Sequence, residues 1–270
     1  MRDGMFKEIT SPQNPKIKQL VRLKDRKERD ETALFLVEGY REIKRAYEGG
    51  VGFESLYIAP DLFLGSNEKF LIENIGTETF KLPRHLFEKI SYRDRPDGLI
   101  AVAHQMQKTI DDLVPKNKVP LYVVAESIEK PGNLGTILRS SDAVGADGVI
   151  VCDRCTDIYN PNVVRASVGT LFTLPVVEVK GAEAYSWLKE RKIQVVAATP
   201  SAEIDYTEAS LGGPVAIIVG TEQWGLSDLW MEAADIRVKI PMRGIADSLN
   251  VAMATTLLLY ESLRQRRYFL

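Results

Sequence analysis

The chain has 270 residues, of which 45% are hydrophobic and 27% charged, and its 35 basic and 37 acidic side chains give a formal net charge of −2. This balance excludes a protein that holds nucleic acid through overall basicity, although it allows a local basic surface. No apolar run is long enough to span a membrane, and the N-terminal residues lack the apolar stretch of a signal peptide. The two cysteines suit a reducing compartment. We therefore expect a cytoplasmic protein, and the length predicts two domains.

The first hundred residues predict a small α/β domain. From Lys16 to Arg29, apolar residues recur at helical spacing among basic ones, which indicates one amphipathic helix whose outer face is either solvated or bound to an RNA backbone. Apolar runs predict strands, and periodic segments between them predict helices. The strands are expected at 33–39, 55–59, 79–83 and 98–104, and the helices at 40–48, 68–74 and 85–91. Residues 1–107 form this N-terminal domain, and the polar segment 108–118 reads as a linker.

The rest of the chain, 119–270, predicts a second domain with a parallel sheet. Its strands are apolar throughout and alternate with helices, which is typical of βαβ units with both sheet faces covered. The strands are expected at 121–126, 148–152, 176–179, 194–199 and 215–220, and the helices at 134–145, 162–169, 182–190 and 248–267.

Three segments rich in glycine and small polar residues follow strands of this sheet, where ligands of parallel sheets bind. In 129–151, Arg139 lies inside a helix, where it could act on a ligand or simply pair with Asp142. In 217–228, Glu222 stands beside Trp224 directly after a buried strand. In 239–261, a serine at position 248 could be only a helix cap, whereas Asn250 is less easily explained because asparagine is a poor helix former.

The three segments together resemble the three motifs of the SpoU (TrmH-type) family of SPOUT methyltransferases. They read NLGTILR (133–139), GTEQWGL (220–226) and IPMRGIADSLNVAMA (240–254), and VRASVGTLFTLPV (164–176) resembles the region between the first two motifs. FLVEGYREIKRA (35–46) and RPDGLIAV (95–102) are similar to the small RNA-binding domain that precedes many catalytic domains of the family.

The resemblance implies an enzyme that uses S-adenosyl-L-methionine to methylate a ribose 2′-hydroxyl in RNA. It also implies a homodimer and a sheet whose C-terminal end is threaded into a deep trefoil knot. Cofactor contacts carried over from the family fall on Thr199, Pro200, Val219, Gly220, Ile240, Met242, Leu249 and Ala252.

The family's catalytic positions fall on five residues of this chain. Arg139 is implied to act on the 2′-hydroxyl; since arginine stays protonated in proteins, we expect it to orient and stabilise the oxygen rather than to take its proton. Asn133 and Glu222 match positions that hold this arginine or the substrate. Ser248 and Asn250 match positions that contact substrate or cofactor.

The expected partner is structured RNA, 23S-type ribosomal RNA first. The alternatives are a tRNA 2′-O-methyltransferase and a catalytically idle RNA-binding or ribosome-assembly protein. Arg165 would contact a phosphate, or instead form a salt bridge to Asp153 or Asp157. The basic helix offers Lys16, Lys18 and Arg22 as further RNA contacts. We expect no metal site, because the pair Cys152 and Cys155 lacks two further ligands nearby.

Overall fold

The chain folds into two compact units, which a computed structural model describes over residues 6–153 and 156–266. The first unit contains the chain up to Gln107 together with 157–173, and the second contains 108–156 and 174–270. The first unit thus takes in a segment, 157–173, that the sequence pattern assigned to the second domain.

A mixed five-stranded sheet organises the first unit, in the order β1-β4-β3-β5-β2. Strand β5 runs antiparallel to both β2 and β3, whereas β4 is parallel to β3 and to β1. The strands are β1 (Lys7–Glu8), β2 (Leu34–Glu38), β3 (Phe53–Ile58), β4 (Glu78–Lys81) and β5 (Leu99–His104). The helices are α1 (Pro15–Arg22), α2 (Arg26–Thr32), α3 (Tyr40–Glu48), α4 (Glu68–Ile75), α5 (Arg84–Ile90) and, from the later segment, α7 (Pro161–Ala166).

The expectation of one basic helix from Lys16 to Arg29 is wrong. Helix α1 ends at Arg22, and α2 begins at Arg26 after a turn in which Leu23 is fully buried. The side chain of Asp25 accepts a hydrogen bond of 2.8 Å from the Lys27 amide, which caps the second helix. Arg29 points inward instead of forming part of a basic face: it is 1% exposed and donates to Asp157 at 2.8 Å.

The second unit is built on a seven-stranded sheet in the order β10-β12-β9-β11-β6-β7-β8, in which every paired strand is parallel. This confirms the predicted parallel sheet. Strand β12 was missed because its sequence, IRVK, alternates apolar and charged residues instead of forming an apolar run. The strands are β6 (Leu121–Glu126), β7 (Gly148–Cys152), β8 (Val176–Val179), β9 (Gln194–Ala198), β10 (Ile204–Asp205), β11 (Val215–Val219) and β12 (Ile236–Lys239).

Helices cover this sheet as α6 (Pro131–Ala143), α8 (Gly181–Glu190), α9 (Asp228–Ala233) and α10 (Val251–Arg266). Trp187 of α8 and Trp230 of α9 share a buried cluster with alternate residues of the strands, while α6 and α10 pack against each other and α10 against β11. The last helix begins three residues later than predicted. No helix in the described ranges has the length and apolarity of a membrane crossing.

The segment expected to be a linker, 108–118, is a packed part of the second unit. Ile110 and Leu113 are buried in the same cluster as Trp187, and Ile110–Asp112 forms a short 3-10 helix. The carboxylate of Asp147 accepts hydrogen bonds from the amides of Lys116 and Asn117 at 2.7 and 3.0 Å. The polar composition of 108–118 therefore does not indicate a flexible linker.

Candidate active site

A cavity of about 370 Å³ lies where the carboxyl ends of three adjacent strands, β12, β9 and β11, meet. Its wall combines apolar side chains with short loops that expose backbone groups, a lining typical of small-ligand sites. Seven of the eight expected cofactor residues line it: Thr199, Pro200, Val219, Gly220, Ile240, Met242 and Leu249. Ala252 does not, because it sits in the first turn of α10 and is 2% exposed.

The loop after β11 forms a tight turn at the edge of this cavity. Thr221 and Gly225 exchange two backbone hydrogen bonds of 3.0 and 3.1 Å, and Gly225 has a φ of 70°, a left-handed conformation that favours glycine. A β-carbon at Gly220 would collide with the carbonyl oxygen of Gly225. The two glycines thus explain why the loop can fold back this closely and still carry Glu222 on the cavity wall.

Three of the predicted catalytic residues meet in one hydrogen-bonded triangle. The Nδ2 atoms of Asn133 and Asn250 donate to Oε1 of Glu222 at 3.0 and 2.7 Å, and Nδ2 of Asn250 also donates to Oδ1 of Asn133 at 3.0 Å. Residues 117 positions apart in the chain are joined in this way. Asn133 lies in the first turn of α6, Glu222 follows β11, and Asn250 precedes α10.

Asn250 holds its place because it also caps α10. Its Oδ1 accepts the amide of Ala252 at 3.1 Å, so its Nδ2 is the atom that faces Glu222. The expected cap, Ser248, instead lines the cavity beside Leu249. The helix end therefore explains the asparagine that the sequence left unexplained.

Lys130, which the sequence analysis did not single out, completes this group through an ion pair with Oε2 of Glu222. A lysine in a polar loop carries no sequence signal that separates it from a solvated one. The pKa of Glu222 lies below its usual value, and the hydrogen bond from Lys130 is the largest cause. The hydrogen bond from Asn133 is the next cause that lowers this pKa. The carboxylate is thus held ionised and in one orientation.

Arg139 does not join this group. It lies exposed on α6, and within the described ranges it has neither an ion pair with Asp142 nor a hydrogen bond to the triangle. Six residues along a helix correspond to a rotation of roughly 240°, so Arg139 and Asn133 occupy different faces of α6.

The candidate RNA contacts lie in the first unit and differ in their surroundings. Lys18 and Arg165 are exposed, Arg22 pairs with Glu28 at 3.2 Å, and Lys16 approaches Glu78 at 3.6 Å. The alternative of a salt bridge from Arg165 to Asp157 is not observed, because Asp157 pairs with Arg29.

Cys155 lies outside the described residues, and among those described no group of histidine, cysteine, aspartate and glutamate is arranged to hold a metal.

Comparison with known proteins gives the family. The model of the SpoU rRNA methylase family matches residues 120–260, and that of the MRM3-like substrate-binding domain matches 14–101. A 23S rRNA (uridine(2479)-2′-O)-methyltransferase from Streptomyces viridochromogenes is 34% identical over 90% of this chain and 87% of its own.

Solved structures agree with the match. A crystal structure of an RNA 2′-O ribose methyltransferase superposes with a TM-score of 0.85 at 43% identity, covering 96% of this chain and 99% of the other. The SpoU methyltransferase AviRb from Streptomyces viridochromogenes, in complex with AdoMet, superposes with a TM-score of 0.86 at 33% identity, covering 94% of this chain and 100% of the other. This chain belongs to the SpoU rRNA methylase family.

Proposed function

We propose that this chain transfers the methyl group of S-adenosyl-L-methionine to a ribose 2′-hydroxyl of 23S-type ribosomal RNA. The observation that carries the proposal is the triangle of Asn133, Glu222 and Asn250 beside a cavity at the strand ends. An idle RNA-binding protein would have no need to hold these three side chains together. The family match over most of the second unit supports the same reaction.

The cavity suits the cofactor. Its volume of about 370 Å³ falls in the range of small-ligand pockets, and backbone groups of the 199–200 and 220–225 loops can pair with adenine edges without charged side chains. Val219, Ile240, Met242 and Leu249 offer apolar contact. When bound, the cofactor supplies a sulfonium methyl group.

The chain's own residues would then prepare the acceptor oxygen. A free 2′-hydroxyl is a poor nucleophile, so charge that develops on it in the transition state must be stabilised. Arg139, permanently charged, is the group we assign to orient and stabilise this oxygen. Glu222, oriented by Asn133 and Asn250, would position the ribose, and Ser248 would contact substrate or cofactor from the cavity wall.

The substrate-binding domain would also contact the RNA. Exposed Lys18 and Arg165 are the stronger candidates for phosphate contacts, because Lys16 and Arg22 already have acidic neighbours. A ribosomal RNA substrate implies work in the cytoplasm.

We further infer that two copies of the chain form a homodimer through α10. Met253, Leu257 and Tyr260 recur at helical spacing and are 63%, 40% and 50% exposed, so they form an apolar stripe along one helix face. Such a stripe on both copies would make a self-complementary interface. We also propose that the second unit carries the trefoil knot of the family.

The test is a map of 2′-O-methylated riboses in total RNA from cells with and without the gene. Loss of one 23S rRNA site, restored by incubating that RNA with purified protein and S-adenosyl-L-methionine, is the expected result. Loss of a tRNA site instead would redirect the substrate assignment, and an unchanged map would refute the proposed reaction.

A further inference from the structure

Trp224 differs from the other two tryptophans of the chain in its exposure. Trp187 and Trp230 are 4% and 0% exposed, whereas Trp224 is 77% exposed. A single exposed apolar side chain needs no explanation on its own. What separates Trp224 from such residues is where the fold holds it.

The backbone under Trp224 is fixed. Its amide donates to Oγ1 of Thr221 at 2.8 Å, inside the turn closed by the two hydrogen bonds between Thr221 and Gly225. The left-handed conformation of Gly225, the next residue, ends the turn. The indole is therefore attached to a constrained loop and stays exposed, although the amide of the same residue is hydrogen-bonded.

This loop belongs to the candidate active site. Trp224 lines the same cavity as Gly220 and Ser248, and it follows Glu222 by two residues. In a nucleotide, the base is attached to C1′, the ribose carbon next to the one that carries the 2′-hydroxyl. A ribose placed with its 2′-oxygen at the site must therefore bring its own base within a few bonds of the reacting atom, beside the cavity wall to which Trp224 belongs.

We propose that Trp224 is a nucleobase-stacking platform, on which the base of the methylated nucleotide rests when the ribose is in place. The inference rests on the proposed function and adds a binding site for one base. Proteins that recognise single-stranded loops, bulges and ends of a structured RNA receive the unstacked bases on aromatic side chains. Gln223, also on the cavity wall, stands beside this platform with an amide suited to a base edge.

Two other partners could cover the indole: the adenine of the cofactor and a second copy of the chain. Each predicts a different loss when Trp224 is changed. If the indole stacks on adenine, changing Trp224 weakens the affinity for the cofactor, and if it contacts a second subunit, the change weakens dimerisation. If it stacks on the target base, the change weakens only the affinity for RNA.

The experiment compares the full-length wild-type protein with Trp224→Phe, Trp224→Leu and Trp224→Ala. Val114→Ala serves as a control at another site in the second unit with a 67% exposed apolar side chain. For each protein, affinity for unmethylated 23S rRNA, affinity for S-adenosyl-L-methionine and sedimentation are measured. Separately, the tryptophan fluorescence is titrated with a uridine hexanucleotide and with a hexamer of the same backbone that lacks bases.

We expect Trp224→Ala to weaken RNA affinity about 5- to 150-fold, the range found when stacking aromatics are removed, with cofactor affinity and sedimentation unchanged. Trp224→Phe keeps a ring and should retain most of the affinity, whereas Trp224→Leu should behave like alanine. The hexanucleotide should quench the wild-type emission, the baseless hexamer should not, and Trp224→Phe should show no quenching.

Equal RNA affinity in the leucine and phenylalanine variants would overturn the inference, as would a matching loss of cofactor affinity or of the dimer. The fluorescence arm separates this inference from the proposed reaction. Quenching by the hexanucleotide in a protein that methylates no RNA would refute the reaction and leave the base site standing.

Discussion

At the scale of single residues, Glu222 is the point at which the candidate site is held together. Its Oε1 accepts both asparagine amides and its Oε2 pairs with Lys130, so both carboxylate oxygens are engaged, from the start of α6 and from the residue before α10. Hydrogen bonds to the charged form favour that form. The result is a carboxylate that stays ionised and cannot rotate without losing partners.

Lys130→Met tests this electrostatic role. Lys130 is the largest cause of the lowered pKa of Glu222, so its removal should raise that pKa towards the usual value. The acid limb of the pH–rate profile should then move to higher pH, while the rate at pH 7, where Glu222 remains ionised, should fall by less than about tenfold. A pH–rate series on both proteins measures this shift. The lowered pKa of Glu222 also stabilises the fold at pH values above the pKa of this carboxyl in the unfolded chain. This stabilisation is lost as the pH falls through the lower pKa of the folded state.

Arg139→Ala tests the assignment of the catalytic cation. Because the side chain is exposed and makes no ion pair within the described ranges, its removal should leave folding and cofactor affinity intact. The rate of methyl transfer should drop about 10²- to 10³-fold, the loss typical of one positioned donor. Single-turnover kinetics with cofactor titration separates the two effects. Near-normal turnover in this variant would remove Arg139 from the mechanism.

Sequence motifs named three of the residues that meet in the structure, but not how they are held. Asn133, Glu222 and Asn250 came from motif resemblance, and the fold brings all three together. The pairing of Lys130 depends on a contact 92 residues away, which no local pattern encodes. The burial of Arg29 is the same case, since its place in a basic run indicated a surface helix while its partner, Asp157, lies 128 residues further on.

At the scale of elements, one buried carboxylate fixes the segment that leads into the second unit. Asp147 is 0% exposed and accepts the amides of Lys116, Asn117 and Leu121, the last at 2.8 Å. Leu121 begins β6, the strand that pairs with both β7 and β11. The residue before β7 thus ties the preceding chain to the middle of the sheet.

Asp147→Ala should destabilise the protein by about 2–5 kcal/mol. Each buried amide that loses its acceptor costs roughly 1–3 kcal/mol, and solvent that reaches some of the three reduces the sum. Chemical unfolding measures the change. Asp111→Ala, at an 81% exposed carboxylate that pairs with Arg191 at 3.5 Å, is the matched control and should stay within about 0.5 kcal/mol of wild type. Equal stability of the two variants would contradict the anchoring role.

Regular elements of the second unit were predictable because strands buried on both faces are apolar throughout. The short strands β10 and β12 could not be predicted in this way. They lie at one edge of the sheet, and their sequences, ID and IRVK, alternate apolar and charged residues. The segment 108–118 was misread because its polar residues outnumber the two apolar anchors, Ile110 and Leu113, that decide its position.

At the scale of the whole molecule, the first unit is discontinuous in sequence. Phe35 of β2 packs against the rings of Tyr159 and Phe172, with centroids 4.6 and 5.8 Å apart, and the ion pair of Arg29 with Asp157 is buried beside the same segment. Deleting residues 1–107 would expose these aromatic rings and leave Asp157 without its partner. A shortened chain would therefore report on lost folding as well as on lost RNA contacts, and point substitutions are the better probes of RNA binding.

Leu257→Glu is the substitution that tests the proposed homodimer. Leu257 lies at the centre of the exposed apolar stripe on α10, and it is 40% exposed in the single chain, so glutamate, a good helix former, should be accommodated in the monomer. In a self-complementary interface the two glutamates would approach each other across the symmetry axis, and both like-charge repulsion and desolvation would oppose association. Sedimentation velocity should show a shift from dimer to monomer with an unchanged circular dichroism spectrum. Leu64→Glu makes the same chemical change at an 84% exposed site in the first unit and should leave the dimer intact. A Leu257→Glu protein that still sediments as a dimer would place the interface elsewhere.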